Sequence, residues 1–230
     1  DSISSLFLTD EDEEYNNKVI KITKTPKNQI YIGKKLHNDS EIVEQLPPFD
    51  FIVTVYWPYL LKPIIINKSL KGSVNFHPAL LPTNRGWYPH VHSLLDGTPF
   101  GVTLHAMDEG ADTGPIWVQK ELKVDICMDA GQIHSFLQNK MELLFIENWH
   151  KISNGLIQPL PQDESKAIYR SKNEIDNLDE IDMNNSMKIR DFVNFLKARS
   201  FKNRGFSYFI NNDEKIYLQI KLNRTGVFDE

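Results

Sequence analysis

The pattern of apolar and polar residues divides the first half of the chain into strands separated by turn-forming segments. A short apolar segment at residues 3–8 comes before an acidic run at residues 10–14, which predicts a strand followed by a solvated turn. Residues 50–56 are continuously apolar and rich in β-branched side chains, as is typical of a strand covered on both faces. Similar patterns predict three further strands, at residues 71–77, 101–107 and 116–124.

Helical periodicity is found between and after these strands. A short helix is predicted over residues 90–95 and is closed by Gly97, because glycine is favoured just beyond a helix end. Asp129 is a suitable cap for a long helix whose apolar positions recur at helical spacing. Strands interleaved with helices favour an α/β fold, in which helices pack on a mostly parallel sheet.

The character of the chain changes after Pro161. Residues 172–185 are polar and acidic, and an amphipathic helix is predicted to begin at Ser186. Residues 207–210 and 215–222 then predict a β-hairpin, whose second strand alternates Ile, Leu, Ile and Leu. We therefore expect a first domain over residues 1–160 and a small helix and hairpin module over residues 161–230.

Composition and charge restrict the classes of function. The 230 residues are 40% hydrophobic, and the chain has no apolar run near the roughly 20 residues of a membrane span, so we expect no membrane partner. With one cysteine, Cys127, no internal disulfide is possible, and a cytoplasmic location is expected. The net charge of −5 argues against broad nucleic-acid binding. Because the chain opens at Asp1 without a methionine, we expect N-terminal residues to be missing.

Three polar residues are candidates for chemistry. Asn75 and His77 stand two apart at the end of a predicted strand and therefore share one face. Asp112 lies in a downstream loop rich in glycine. Brought together, the three would form a proton-transfer site, with Asp112 holding the imidazole and the Asn75 amide donating to an oxyanion. Alternatively, Asn75 and His77 are hydrogen-bonded core residues and Asp112 forms an Asx turn.

Two motifs resemble the folate-dependent formyltransferase family: Asn-x-His-Pro-Ala-Leu-Leu-Pro at residues 75–82 and Asp-x-Gly-x-Asp-Thr-Gly-x-Ile at residues 108–116. The resemblance implies a Rossmann-like catalytic domain and transfer of a formyl group from N10-formyltetrahydrofolate to an amine. It also implies that Asn75, His77 and Asp112 are the catalytic residues, and that no metal takes part. The family's usual first strand, with its glycine-containing turn, is not evident here, which a truncated N-terminus would explain.

Residues 84–90 and the C-terminal module are similar to the branch that formylates amino sugars carried on nucleotides. The subgroup implied acts on dTDP-4-amino-4,6-dideoxyglucose and prepares sugars for bacterial O-antigen and other surface lipopolysaccharide. Members of this branch are dimers, so a homodimer is expected. The resemblance implies folate contacts at Tyr56, Trp57, Met107, Asp108 and Gly110. It implies contacts with the nucleotide sugar at Asn84, Arg85, Trp87, Tyr88, His90, Arg204 and Tyr208.

Several alternatives remain open at the level of the sequence. The acceptor amine can be at C3 rather than C4 of the sugar, or the chain can act like a methionyl-tRNA formyltransferase. From another class, it can be a folate- or nucleotide-binding regulator without turnover. His92 and His105 are interpreted as structural residues, Arg85 as a possible brace of its loop, and Trp87 and Tyr88 as either ligand surfaces or loop core.

Overall fold

The computed structural model describes residues 2–33, 40–175 and 178–224. The chain forms two compact units, one made of residues 1–53 and 57–73 and the other of residues 54–56 and 74–230. Strands β3 (Phe49–Val55) and β4 (Ser69–His77) each begin in the first unit and end in the second. The polar carboxyl ends of both strands thus belong to the second unit.

The first unit contains a β-α-β arrangement near its start. Strand β1 (Leu6–Leu8) pairs in parallel with β2 (Ile30–Ile32), and helix α1 (Glu13–Thr23) connects them, followed by a 3-10 turn at Lys27–Gln29. The Asp12 carboxylate caps α1 by accepting from the Tyr15 amide at 2.8 Å. The strand expected at residues 3–8 is thus present in shortened form, whereas α1 and β2 were not predicted. Two short helices complete the unit, α2 (Ser40–Gln45) and α3 (Pro63–Ile66).

The main sheet has four strands in the order β3-β4-β6-β7, with β6 at Phe100–His105 and β7 at Ile116–Leu122. β6 is antiparallel to both β4 and β7. The α/β class is as predicted, but the expectation of a mostly parallel sheet needs correction, because both pairings of β6 in this sheet are antiparallel. Residues 106–115 join β6 to β7 and are too few for the long crossover that a parallel pair requires.

Helix α5 (Ala130–Ser153) packs on β6 and β7. Its start is fixed by a capping box in which Asp129 and Gln132 satisfy each other's backbone amides at 2.9 and 3.0 Å. The side chains that fill the space between helix and sheet are fully buried and apolar: Val74, Val102, Leu104, Ile133, Leu137 and Met141. Within the described ranges, no helix is both long and apolar enough to cross a membrane.

A second, small pairing holds the loop that follows β4. Strand β5 (Arg85–Gly86) runs parallel to β8 (Tyr169–Arg170). Helix α4 (Pro89–Asp96) starts directly after this loop and ends at Gly97, whose φ of 68° is the left-handed cap expected from the sequence. Two 3-10 turns flank β8, at Glu164–Lys166 and Lys172–Glu174.

The C-terminal part consists of helix α6 and two hairpins. The helix (Ile189–Ala198) packs on α4, and the strands are β9 (Ser200–Phe201), β10 (Arg204–Gly205), β11 (Tyr208–Asn211) and β12 (Glu214–Tyr217). The predicted hairpin is present as β11 and β12, but its second strand ends at Tyr217 rather than Leu222. Beyond it the chain turns toward the first hairpin, where the Leu218 amide donates to the Ser207 carbonyl and the Ile220 amide to the Ser200 hydroxyl.

Candidate active site

Asn75, His77 and Asp112 lie together at the carboxyl end of β4. The Asn75 Nδ2 atom donates to Asp112 Oδ1 at 3.2 Å, and His77 Nδ1 lies 3.4 Å from Asp112 Oδ2. All three side chains are largely withdrawn from solvent, with 5% of the His77 side chain and 15% of the Asp112 side chain exposed. The structure thus brings together the three residues that the two motifs single out.

A hydroxyl from the neighbouring strand sets the orientation of the Asn75 amide. Thr54 Oγ1 lies 2.7 Å from Asn75 Oδ1 and donates to it. The amide nitrogen therefore faces Asp112, and it also faces His105 Nε2 at 3.1 Å. Both amide hydrogens have acceptors in this arrangement, so Asn75 can donate to another oxygen only after releasing one of them.

A carbonyl oxygen determines which ring nitrogen of His77 carries the hydrogen. Nε2 lies 2.9 Å from the Asn84 carbonyl oxygen, which can only accept, so Nε2 is the protonated nitrogen. In the neutral ring the lone pair is then on Nδ1, which faces Asp112 Oδ2. A proton taken up at Nδ1 would convert that contact into a charge-assisted hydrogen bond.

Burial and charge act on this pair in opposite directions. Burial lowers the pKa of His77, while the negative charge of Asp112 counteracts part of that effect. For Asp112, burial alone would raise the pKa, but positive charge on His77 and His105 and the hydrogen bond from the Gly86 amide bring it below its ordinary value. An ionised Asp112 favours uptake of a proton at His77 Nδ1, so this nitrogen can act as a base.

His105 is a further member of the cluster, although we interpreted it as structural from the sequence. Its Nδ1 donates to the Ala106 carbonyl at 2.7 Å, which leaves the lone pair of Nε2 facing Asn75 Nδ2. The same Nε2 lies 3.3 Å from Asp112 Oδ1. The alternation of Thr103 and His105 with apolar residues was visible in the sequence, but the antiparallel register that places His105 opposite Asn75 was not.

The loop that carries Asp112 depends on close backbone packing. Asp112 has a φ of 57°, in the left-handed region. A Cβ at Gly114 would lie 1.9 Å from the Ala106 carbonyl oxygen, so only glycine fits there. Within the loop, Asp108 accepts from the Gly110 amide at 3.1 Å and from the Thr113 hydroxyl. The glycine-rich sequence is therefore needed to aim the Asp112 carboxylate.

Two neighbouring segments hold Asp112 from the other side. The Gly86 amide donates to Asp112 Oδ2 at 2.8 Å. The Gln162 side chain donates to the carbonyls of Asp112 and Gly114 at 2.8 and 2.7 Å. Residues 160–170, which we call the 160–170 segment, thus fix the backbone of the loop as well as pairing with β5.

Two of the predicted substrate residues have internal partners for their side chains. Asn84 is 1% exposed, and its amide donates to the hydroxyls of Ser93 and Thr98. Arg85 makes a two-point contact with the Glu164 carboxylate at 2.9 and 2.6 Å and also donates to Gln162. Both side chains brace the loop, so neither is free for a ligand. For Arg85, this is the alternative that the sequence analysis left open.

The remaining predicted residues of that loop differ in exposure. Trp87 and Tyr88 are 36% and 38% exposed, and their ring centroids are 5.9 Å apart. The Lys172 ammonium lies 5.1 Å from the Trp87 ring centroid. His90 is buried instead, 5.2 Å from the His134 ring, and burial lowers its pKa to about 3. Trp87 and Tyr88 are thus an accessible aromatic pair, whereas His90 stays neutral inside the protein.

The predicted nucleotide residues in the C-terminal part contact their own surroundings. The Arg204 guanidinium lies 4.9 Å from the Phe206 ring centroid. Tyr208 donates from its hydroxyl to Glu180 at 3.1 Å, and the Lys215 ammonium lies 3.9 Å from its ring centroid. A contact of Arg204 or Tyr208 with a nucleotide remains a prediction.

The residues predicted to contact folate fall in both units. Tyr56, in the second unit, has a φ of 53° and packs against His134 at 5.8 Å, and burial raises its pKa to about 12. Met107 Sδ lies 3.3 Å from the Thr54 hydroxyl oxygen. Trp57 belongs to the first unit, where its buried indole N–H has no hydrogen-bond partner among the described residues. Asp108 and Gly110 build the loop already described.

Among the described residues, no three or more His, Cys, Asp or Glu side chains are placed together to hold a metal ion. The side chains of the site support a specific chemistry of their own. It comprises a base at His77 Nδ1, a carboxylate to stabilise the charged imidazole, and an amide that can be released toward an oxyanion. Such a set suits attack of an amine on a carbonyl carbon without a protein nucleophile.

Comparison with known families agrees with the fold. Residues 9–147 match the model of the formyl transferase family, and residues 174–224 match the N-formyltransferase dimerization C-terminal domain. The chain therefore belongs to the formyl transferase family.

Two curated relatives represent different acceptors. A methionyl-tRNA formyltransferase of Synechococcus is 33% identical over 138 residues, which are 59% of this chain and 43% of the relative. A dTDP-4-amino-4,6-dideoxyglucose formyltransferase of Mycobacterium bovis is 29% identical over 150 residues, which are 65% of this chain and 64% of the relative. In both cases the match spans less than two thirds of the relative's own length.

Solved structures match over more of the chain. A 4-N formyltransferase from Francisella tularensis superposes with a TM-score of 0.82 at 25% identity, over 96% of this chain and 87% of the other. The formyltransferase PseJ from Anoxybacillus kamchatkensis, in complex with UDP-4,6-dideoxy-4-formamido-L-AltNAc and tetrahydrofolate, has a TM-score of 0.60 at 26% identity. That match covers 75% of this chain and 88% of PseJ. The α/β formyltransferase fold predicted from the two motifs is thus confirmed.

Proposed function

We propose that the protein is an N-formyltransferase that moves a formyl group from N10-formyltetrahydrofolate to the amine of a nucleotide-linked amino sugar. The observation that carries the proposal is the cluster of Asn75, His77 and Asp112, in which His77 Nδ1 and Asn75 Nδ2 both face the Asp112 carboxylate, at 3.4 and 3.2 Å. Membership of the formyl transferase family supports the same reaction class.

The geometry of the cluster supports a specific division of roles. As the sugar amine attacks the formyl carbon, the base at His77 Nδ1 accepts the amine proton and becomes paired with Asp112. Charge pairing with the imidazolium weakens Asp112 Oδ1 as an acceptor, so Asn75 can turn one amide hydrogen toward the developing oxyanion. When the bond from carbon to the folate nitrogen breaks, the proton on His77 is available to the leaving nitrogen. The products are a formamide and tetrahydrofolate.

An amino sugar on a nucleotide is the acceptor that the chain supports best. The structural match to the 4-N formyltransferase extends over 96% of this chain, including its C-terminal part. Trp87 and Tyr88 offer flat, accessible surfaces for a deoxysugar, directly beside the Gly86 amide that contacts Asp112. We propose dTDP-4-amino-4,6-dideoxyglucose as the acceptor, for bacterial surface polysaccharide, with the 3-amino isomer as the alternative.

Folate is the proposed formyl donor because the relative PseJ was solved with tetrahydrofolate. We place the pterin against Tyr56 and the loop that includes Met107, Asp108 and Gly110, all of which belong to the second unit. A folate contact at Trp57 remains a prediction.

We further propose a homodimer and a division of the chain near residue 160. The match of residues 174–224 to a dimerization domain supports the dimer. On the C-terminal hairpin, Ile210 and Tyr217 are 52% and 55% exposed, which leaves apolar surface for a second copy to cover.

The test is a panel of acceptors supplied with N10-formyltetrahydrofolate, with release of tetrahydrofolate as the readout. The panel holds the 4-amino and 3-amino dTDP-sugars, glycinamide ribonucleotide and charged initiator tRNA. We expect turnover with the 4-amino sugar. Preference for the 3-amino isomer would overturn the position of the amine, and activity only on tRNA would overturn the sugar assignment.

The panel also separates an enzyme from a regulator. A protein that binds folate and nucleotide sugar but releases no tetrahydrofolate with any acceptor would contradict the transferase proposal. A His77→Ala variant, run beside the wild type, controls for donor hydrolysis that does not need the cluster.

A further inference from the structure

A single hydroxyl group interrupts the apolar end of strand β3. Residues 51–55 are otherwise apolar, and Thr54 among them is 8% exposed. A buried hydroxyl group is costly unless it is hydrogen-bonded. The Thr54 oxygen lies 2.7 Å from Asn75 Oδ1 and 3.3 Å from Met107 Sδ. Because a carboxamide oxygen is a stronger acceptor than a thioether sulfur, the Thr54 hydroxyl donates to Asn75.

The Asn75 carboxamide is held from both of its polar ends. Asp112, as a carboxylate, can only accept, so the amide nitrogen must face it, at 3.2 Å. The same nitrogen lies 3.1 Å from His105 Nε2, which gives the second amide hydrogen an acceptor. Oδ1 must then face away from these two side chains, and there the Thr54 hydroxyl is its donor.

The contact with Thr54 matters at the moment when Asn75 changes partner. In the proposed formyl transfer, one amide hydrogen turns from Asp112 toward the oxyanion. Free rotation of the carboxamide would instead allow Oδ1 to face the oxyanion and repel it, so the oxygen end has to stay fixed. A donor on Oδ1 also draws electron density from the amide nitrogen, which makes its N–H groups stronger donors.

We propose that Thr54 is a positioning residue, whose hydroxyl fixes and polarises the Asn75 carboxamide for donation to the oxyanion. This inference rests on the proposed formyl transfer and adds a residue to it. Thr54 acts through Asn75 and has no assigned contact with the reacting atoms. Its contribution arises only as the oxyanion forms, so its loss should lower kcat and leave the KM of both substrates unchanged.

The test compares two substitutions of Thr54 by steady-state kinetics. Thr54→Val has the same shape but lacks the hydroxyl, and its kcat should fall about 10-fold, less than the roughly 10²- to 10³-fold for loss of an oxyanion donor itself. Thr54→Ser keeps the hydroxyl and should retain most of the wild-type kcat. Thr23→Val is the matched control, because the Thr23 hydroxyl donates within α1, to the Ile20 carbonyl. It should retain the wild-type kcat.

A double-mutant cycle with Asn75→Ala separates positioning from a general effect on packing. Thr54→Val should lower the kcat of the wild type and leave that of Asn75→Ala unchanged, because the hydroxyl acts through this amide. Urea unfolding of the same four proteins gives a second cycle. There the two substitutions should be non-additive, since they remove the same hydrogen bond.

Several results would overturn the role of Thr54 and leave the formyl transfer intact. They are wild-type kcat in a folded Thr54→Val protein, a loss confined to KM, an equal fold-loss of kcat in both backgrounds, and additive losses in the unfolding cycle. Absence of turnover by the wild type across the whole acceptor panel is a different result. It would overturn the proposed function, and this inference with it.

Discussion

The backbone carbonyl of Asn84 determines the chemistry of His77, although the Asn84 side chain points away from it. Because that carbonyl accepts a hydrogen bond from Nε2, the basic lone pair must be on Nδ1, beside Asp112. His105 is held in the opposite form by the Ala106 carbonyl, so its Nε2 accepts from Asn75. Each carbonyl thus places a hydrogen on one nitrogen of its imidazole, and the other nitrogen of each ring faces the Asn75 and Asp112 side chains.

Replacement of His77 by alanine should remove most turnover and leave the chain folded. Loss of a positioned base typically costs about 10²- to 10⁴-fold in rate. The kcat should fall, while the far-UV circular dichroism spectrum stays that of the wild type. Asn75→Ala should behave similarly, because in the proposed mechanism its amide donates to the oxyanion of the transition state.

Lys120→Ala is a suitable control for both variants, because Lys120 is exposed on β7. It should retain wild-type kcat. A folded His77→Ala or Asn75→Ala protein with wild-type kcat would exclude that residue from the mechanism.

Replacement of Asp112 by asparagine should change the pH dependence as well as the rate. The carboxylate raises the pKa of His77 against the lowering effect of burial, so its removal lowers that pKa further. Activity that needs a neutral His77 is lost on the acidic side as the ring takes up a proton. The acidic limb of the kcat profile should therefore move to lower pH, while the plateau rate falls because the imidazolium has lost its partner.

The profile of Asp112→Asn is measured from pH 4 to 9 beside that of the wild type. The plateau rate and the pH of the acidic limb are read separately. A residue that only shapes the loop would change the plateau rate without moving the acidic limb. An unchanged limb and an unchanged plateau together would leave Asp112 as a turn residue.

At the scale of elements, the pairing of β5 with β8 holds Gly86 where its amide can donate to Asp112. Gly86 has a φ of 91°, and a Cβ there would lie 2.3 Å from the Arg170 carbonyl oxygen. Gly97 also has a positive φ, but a Cβ there meets nothing within 4 Å. Both glycines therefore have a positive φ, which disfavours any other residue. Only at Gly86 would an added side chain also clash with a neighbouring backbone atom.

Gly97→Ala should cost about 1 to 2 kcal/mol of unfolding free energy, the ordinary cost of a left-handed alanine. Gly86→Ala should cost more than that, because the new methyl group pushes β5 away from β8. Its kcat should also fall, since the Gly86 amide holds Asp112. Urea unfolding and steady-state kinetics of both variants check this, and equal losses in the two would contradict it.

The elements show what sequence patterns specify and what they leave open. The α5 cap at Asp129 and the end of α4 at Gly97 were predicted because each depends on a few adjacent residues. Helix α1 was missed because its acidic first residues, which favour a helix start beside the Asp12 cap, resemble a solvated turn. The alternating apolar residues after Lys215 predicted a longer strand than β12, but their partners, Ser207 and Ser200, lie elsewhere in the chain.

The same distinction applies to the candidate site. The motifs identified Asn75, His77 and Asp112, since strand spacing and loop composition are local signals. The roles of His105, Gly86 and Gln162 depend on the register between strands and on contacts between distant segments. Neither can be predicted from the residue pattern of a single sequence.

At the scale of the whole molecule, the proposed homodimer predicts a sensitive hairpin. Ile210 lies on β11 and is 52% exposed, so its replacement by lysine should leave the fold intact but weaken association. Ile126→Lys is the control, because Ile126 is 73% exposed and lies outside the matched dimerization segment. Light scattering at micromolar concentration should report a dimer for the wild type and the control and a smaller mass for Ile210→Lys. A monomeric wild type would contradict the dimer.

The 160–170 segment restricts how this enzyme can be recombined with its relatives. A chimera joined at residue 160 would take Gln162 and Glu164 from the donor of the C-terminal part, although these side chains brace Asp112 and Arg85 of the recipient. A junction placed after the 160–170 segment keeps both braces with the loops that they support. Exchange of the C-terminal part to change acceptor preference should therefore succeed at the later junction and yield a disordered catalytic loop at the earlier one.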